Sequence, residues 1–92
     1  MTTHGIASIW LAEIGRRLRA GETSVSLKDV EEATGARVEA WIDAEQLWAN
    51  LWRHIQAEGL AKVVHYSVRG EDACVDRVQV TDEGSDAAAW DY

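Results

Sequence analysis

The chain has no phenylalanine, no proline and a single cysteine. It also lacks any run of about 18 apolar residues, so no stretch reads as a membrane-spanning helix. Its lone thiol, Cys74, cannot form an internal disulfide, which suits a reducing compartment, and it reads as a small semi-buried strand residue. The opening residues show neither the basic start nor the apolar stretch of a signal peptide, so a cytoplasmic location is expected. The signatures of catalysis are missing as well. No glycine-rich phosphate loop follows a strand, and no serine or cysteine sits in a nucleophile motif. His4, His54 and His65 do not have the spacing of a zinc site, and Cys74 does not complete one. The neighbouring carboxylates Glu31-Glu32 and Glu71-Asp72 diverge on a helix or strand and make poor acid–base pairs. No enzymatic activity, metal or cofactor is expected.

What the chain does have is tryptophan and negative charge. It carries five tryptophans, and sixteen acids against nine bases leave a net charge of −7. A chain this acidic is repelled by nucleic acid and anionic membranes unless its bases gather on one face. Its 92 residues suit one domain with a modest core. We place the body at residues 1–83 and an acidic tail at residues 84–92.

Residues 6–20 form an amphipathic pattern. Trp10, Ile14, Ala7, Leu18 and Leu11 project within an arc of roughly 100° at helical pitch. Gly21 follows where a left-handed cap is expected, and Arg16, Arg17 and Arg19 occupy the last turns, where positive charge suits the helix dipole. Residues 23–26 suit a brief strand. Ser26 resembles an N-cap with Asp29 three positions on, opening a short helix that carries Leu27, Val30 and Ala33 and ends at Gly35. A third helical region is expected from about Ala36 to Glu58. It is one helix, or two if Asp43 and Gln46 cap a fresh start. Trp41, Ala44, Leu47, Trp48, Leu51, Trp52 and Ile55 spread over an arc of roughly 180°, wider than a single buried stripe. Gly59 suits its C′ position, with Leu60 folding back on Ile55.

Beyond Ala61 the period becomes that of a strand. Val64, Tyr66 and Val68 fall on one face, and Val63, His65 and Ser67 on the other. Residues 69–72 read as a turn. A second strand follows over 73–81, in which Val75 is out of phase with Val78 and Val80, the sign of a bulge or early twist. The stretch from Asp82 to Tyr92 holds four acids and is expected to be mobile, with Trp90 and Tyr92 docking on the body or on a partner.

This order of helix, short strand, helix, helix, strand, turn and strand resembles a winged-helix domain, a helix-turn-helix with a β-hairpin wing, over roughly residues 6–83. The most suggestive stretch is Leu51 through Glu83: a helix ending Ala57-Glu58-Gly59-Leu60, the hairpin, then Val80-Thr81-Asp82-Glu83-Gly84. The expected fold is therefore α+β, with three or four helices, a C-terminal hairpin and an acidic tail. Resemblance at the level of fold leaves function open.

In DNA-binding members of that family the helix after the turn enters the major groove, and the wing touches the backbone or minor groove. By this resemblance Arg37, Glu39, Ala40 and Asp43 would face the groove, with Arg69 on the wing. From Asp29 to Glu45, however, six acids stand against one base, a balance of −5. Electrostatic attraction to phosphate supplies nearly all non-specific DNA affinity, and this surface inverts it. A DNA-binding regulator would need Arg16, Arg19, Arg69 and Arg77 to converge, with Arg37 added from the turn. The alternative is a protein partner, met through the acidic residues Asp29, Glu31, Glu32, Glu39 and Asp43 with Trp41 and Trp52 as aromatic anchors. Small size, net charge and the absence of a catalytic motif suit a phage-type inhibitor or nucleic-acid mimic of the anti-CRISPR kind. Without Phe, tryptophan also supplies core bulk, and an acid run also forms a solvated helix face. A wide stripe left half covered would in addition suit a symmetric dimer. We expect a protein partner ahead of DNA.

Overall fold

A computed structural model describes residues 3–67 and 73–81, with the side chains of Thr3 and His4 excepted. The fold is α+β. Helices α1 (Thr3–Arg19), α2 (Leu27–Thr34) and α3 (Trp41–Ala57) accompany strands β1 (Val25–Ser26), β2 (Ala61–Ser67) and β3 (Cys74–Val80). The strands form one antiparallel sheet in the order β1-β3-β2. Val68, the turn expected at residues 69–72, and the stretch from Asp82 to Tyr92 lie outside the described residues.

The helix ends follow from local chemistry. Ser26 Oγ accepts a hydrogen bond from Asp29 N–H at 3.1 Å, so α2 starts where a short polar side chain can satisfy an orphan donor. Both long helices close with the same paired bonds. Gly21 N–H donates to Leu18 C=O and Glu22 N–H to Arg17 C=O; Gly59 N–H donates to Gln56 C=O and Leu60 N–H to Ile55 C=O. This is the Schellman arrangement, and it needs a left-handed residue, supplied at φ 94° by Gly21 and 72° by Gly59.

The third helix departs from expectation. It begins at Trp41, not Ala36, and it is one helix, so three helices are present among the described residues. The reason is tertiary. Ala36 C=O, which would accept the first bond of a helix starting there, accepts Trp10 Nε1–H at 2.8 Å from 26 residues away. Its N–H donates to Thr34 Oγ1. Residues 36–40 thus stay outside any helix, and Ala40 becomes an N-cap with no side-chain bond. Asp43 does not restart a helix but sits in the first turn of α3, where its charge suits the dipole.

Packing explains the tryptophan content. Trp10, Trp48 and Trp52 interlock edge to face, with ring centroids 6.5 and 5.6 Å apart and planes at 73° and 72°. Each such pair contributes about 0.5–1.5 kcal/mol beyond burial. The wide apolar arc of α3 is covered on two sides, by α1 and by β2. Trp52, expected at a margin and available to a partner, is a core residue with 2% exposure.

In the hairpin, Val63 pairs with Val78 and Tyr66 with Val75, while Val64 and Arg77 between them drop out of the ladder. Arg77 takes φ 53°. On the other side of β3, Val25 pairs with Val75 yet Thr23 C=O accepts from Val78 N–H, so β3 carries one residue more than β1 over that span. The bulge lets Val75 and Val78, three apart, both reach the core. Val64 and Tyr66 are both exposed, at 58% and 38%, and both line the cleft beside Trp52 and Arg53 of α3.

Candidate functional site

The exposed charge of α2 and the start of α3 forms the strongest candidate surface. In α2, Leu27 and Val30 point into the core, which leaves Lys28, Asp29 and Glu32 in solvent. Glu39 is exposed on the link between α2 and α3, and Asp43 is exposed in the first turn of α3. Among them stands Ile42, 72% exposed, which the periodicity did not single out. Trp41 is half-buried and donates from Nε1 to Glu45 Oε1 at 2.8 Å, an i,i+4 bond that fixes the indole at the helix start. On the α3 wheel Ile42 projects about 120° from Trp48, on the polar side, so the spacing of the buried stripe passes it by.

Glu31 does not belong to the solvated acidic face. It is buried, at 7% exposure, and its Oε2 lies 3.6 Å from Arg37 Nε. Burial pushes its carboxyl above the ordinary glutamate value, and Arg37 offsets this only in part. The left-handed turn at Gly35 carries the chain back so that Arg37 can reach it. Together Lys28, Glu31, Glu32, Gly35, Arg37 and Trp41 line a groove of 430 Å³. Its volume falls within the range of ligand pockets, but four of its six lining residues are charged, and of both signs, so it is a surface cleft and not an apolar site.

Two of the five candidate DNA-binding arginines, Arg16 and Arg37, are paired with carboxylates. Arg16 Nε and a terminal nitrogen bind the two carboxylate oxygens of Glu13 at 2.6 and 2.9 Å. Arg17 lies 3.5 Å from Glu13 and 3.3 Å from Glu22. Arg37 pairs with Glu31 on a different element. Arg19 and Arg77 are exposed, and Arg77 shares a groove with Leu18 and Glu22 at the end of α1 that carries Arg19. Arg69 lies outside the described residues.

One polar cluster was not legible in the sequence because its members are 52 residues apart. On the outer sheet face, Ser24 Oγ donates to Asp76 Oδ1 at 2.8 Å, and His65 Nδ1 lies 3.3 Å from Asp76 Oδ2. Cys74 Sγ stands 4.0 Å from the same oxygen. The residue types suggest a hydrolase, but the wiring does not. Ser24 gives its hydroxyl proton to the carboxylate and not to His65, so the imidazole is not directed at that hydroxyl. The cluster ties the residue preceding β1 to β3 and β2. Among the described residues no three of His, Cys, Asp and Glu are gathered to hold a metal ion, and no helix is long and apolar enough to cross a membrane.

No protein-family model matches the chain, and no curated protein or solved structure shows a significant similarity to it.

Proposed function

We propose that the chain is a non-catalytic binding domain of winged-helix type that docks on a protein partner through Asp29, Glu32, Glu39 and Asp43, with Ile42 and Trp41 as its apolar contacts. The fold part of this reading is supported by the element order and by the strand order β1-β3-β2, in which the short strand between the first two helices joins the hairpin. The binding part rests on one observation: the helix that would enter a DNA groove begins with exposed carboxylates around an Ile that is 72% exposed. Interface cores are built from such an apolar anchor inside a polar rim. A partner that itself binds nucleic acid would meet carboxylates where it expects phosphates, which is the logic of a phage-type inhibitor or anti-CRISPR-like nucleic-acid mimic.

DNA binding is the second reading, favoured by the exposed Arg19 and Arg77 at one end of the molecule. Fluorescence anisotropy of a labelled mixed-sequence duplex, at about 50 and 200 mM salt, separates the two. We expect no binding at either concentration, and no gain from Arg19→Glu or Arg77→Glu. Binding that weakens steeply with salt, and is lost in those variants, would overturn the protein-docking reading.

A further inference from the structure

The groove between α2 and the start of α3 holds a carboxylate that is short of donors. Glu31 has 9% side-chain exposure, and it lines the groove with Lys28, Glu32, Gly35, Arg37 and Trp41. Its ion-pair partner is Arg37, whose Nε stands 3.6 Å from Oε2, past the reach of a good hydrogen bond. Buried charges are ordinarily paired and fully hydrogen-bonded. Here burial outweighs the arginine, so the charge is only partly compensated. The Arg37 side chain is 80% exposed and can swing aside without leaving the core. The 430 Å³ beside Glu31 leave room for a further donor.

The surroundings specify that donor. It is cationic, because six acids stand against one base from Asp29 to Glu45. It sits at the end of a long side chain, because Glu31 lies in the wall of a cleft and not on open surface. It is planar, because Trp41 lines the same cleft with its indole fixed by the bond from Nε1 to Glu45 Oε1 at 2.8 Å. A guanidinium meets all three requirements. It stays charged, its fork of N–H donors matches a carboxylate, and its face stacks on an indole. Glu32, exposed on the same groove, adds charge of the attracting sign. A lysine ammonium is a strongly hydrated point charge without the fork, so it gains less and loses more on entering. An anion would meet Lys28 and Arg37 but would also have to approach Glu31 and Glu32.

Resting on the protein-docking reading, we propose that this groove receives one arginine side chain of the partner, with its guanidinium on the Glu31 carboxylate and against the Trp41 indole. The partner is thereby a protein that presents an arginine beside an apolar patch, the first for the groove and the second for Ile42. Arg37 holds the place of that arginine in the free chain.

The test uses the full chain and N-acetyl-arginine amide as the probe, followed by amide-resolved NMR at neutral pH and constant ionic strength. We expect saturable shifts of the Trp41 indole N–H signal and of the amides of Glu31, Glu32, Gly35 and Arg37. The Trp10 indole signal should stay in place and reports in each variant that the fold is kept. N-acetyl-lysine amide should bind several-fold more weakly. Glu31→Gln, which keeps the shape of the side chain, should weaken the arginine probe by about tenfold or more, and Trp41→Leu by a smaller factor. Absence of saturable shifts, an equal response to the lysine probe, or unchanged affinity in Glu31→Gln would each overturn the groove assignment while leaving docking through the acidic face untouched. Duplex binding in the anisotropy experiment would overturn docking itself, and the arginine site with it.

Discussion

Two glutamates of this protein answer the same question in opposite ways. Glu13 on α1 and Glu31 on α2 have nearly equal side-chain exposures, 10% and 9%, and each has arginine for a partner. Glu13 is held below the ordinary carboxylate range, chiefly by the hydrogen bond from Arg16, with Arg17 adding to it against the cost of burial. Glu31 is pushed above its ordinary value because burial outweighs Arg37. Two differences set the sign: Glu31 is surrounded by more protein than Glu13, and its partner is less well placed. Glu13 meets a two-pronged guanidinium at 2.6 and 2.9 Å and a second arginine at 3.5 Å, whereas Glu31 meets one arginine at 3.6 Å. An ion pair stabilises a partly buried carboxylate only when its hydrogen bonds replace those lost to water.

Substitution should separate the two. Glu13→Gln at pH 7 is expected to cost about 1 kcal/mol in urea unfolding, since Arg17, which is mostly buried, loses a partner. A lowered folded pKa contributes stability above the unfolded value that is lost as pH falls through the folded one. The deficit of Glu13→Gln should therefore shrink in acid below the ordinary glutamate range, and a constant deficit would show that its carboxylate charge is not the cause. The smaller effect belongs to Glu31→Gln, which should be neutral or stabilising by less than about 1 kcal/mol at pH 7. Here the sign reverses. A raised folded pKa gives stability that is complete below the unfolded value and lost as pH rises through the folded one. Native and Glu31→Gln proteins should converge in acid; a destabilised Glu31→Gln at pH 7 would place Arg37 ahead of burial. Smallest is the effect of salt. At about 1 M, with a Debye length of about 3 Å, both differences should move because Arg16 and Arg37 are 62% and 80% exposed: the deficit of Glu13→Gln should narrow, and any advantage of Glu31→Gln should widen as Arg37 offsets less of the cost of burial.

Much of the frame was legible because it depends on neighbours in sequence. Ser26 and the glycines at 21, 35 and 59 end or begin helices through bonds that span five residues or fewer. The stripe Ala7, Trp10, Leu11, Ile14 and Leu18 is buried throughout, as its spacing implied. The irregular phase of Val75 against Val78 also pointed to the bulge at Arg77. The candidate surface was legible in part. Asp29, Glu32, Glu39 and Asp43 are exposed, but Ile42 went unnoticed because an apolar residue on a polar face gives no periodic signal.

What the sequence by itself determined was the class of fold, the ends of its helices and the side of α1 that faces inward, since periodicity and capping act within one or two turns. Only the tertiary structure decided where α3 begins, because the bond from Trp10 to Ala36 competes with the helix from outside it. It also decided that Trp52 belongs to the core, since α1 and β2 cover α3 from two sides. Glu31 shows the same limit. A glutamate four residues before Gly35 reads as a solvated helix face, and whether water or protein surrounds it depends on residues distant in sequence, whose packing sets the cost of its charge.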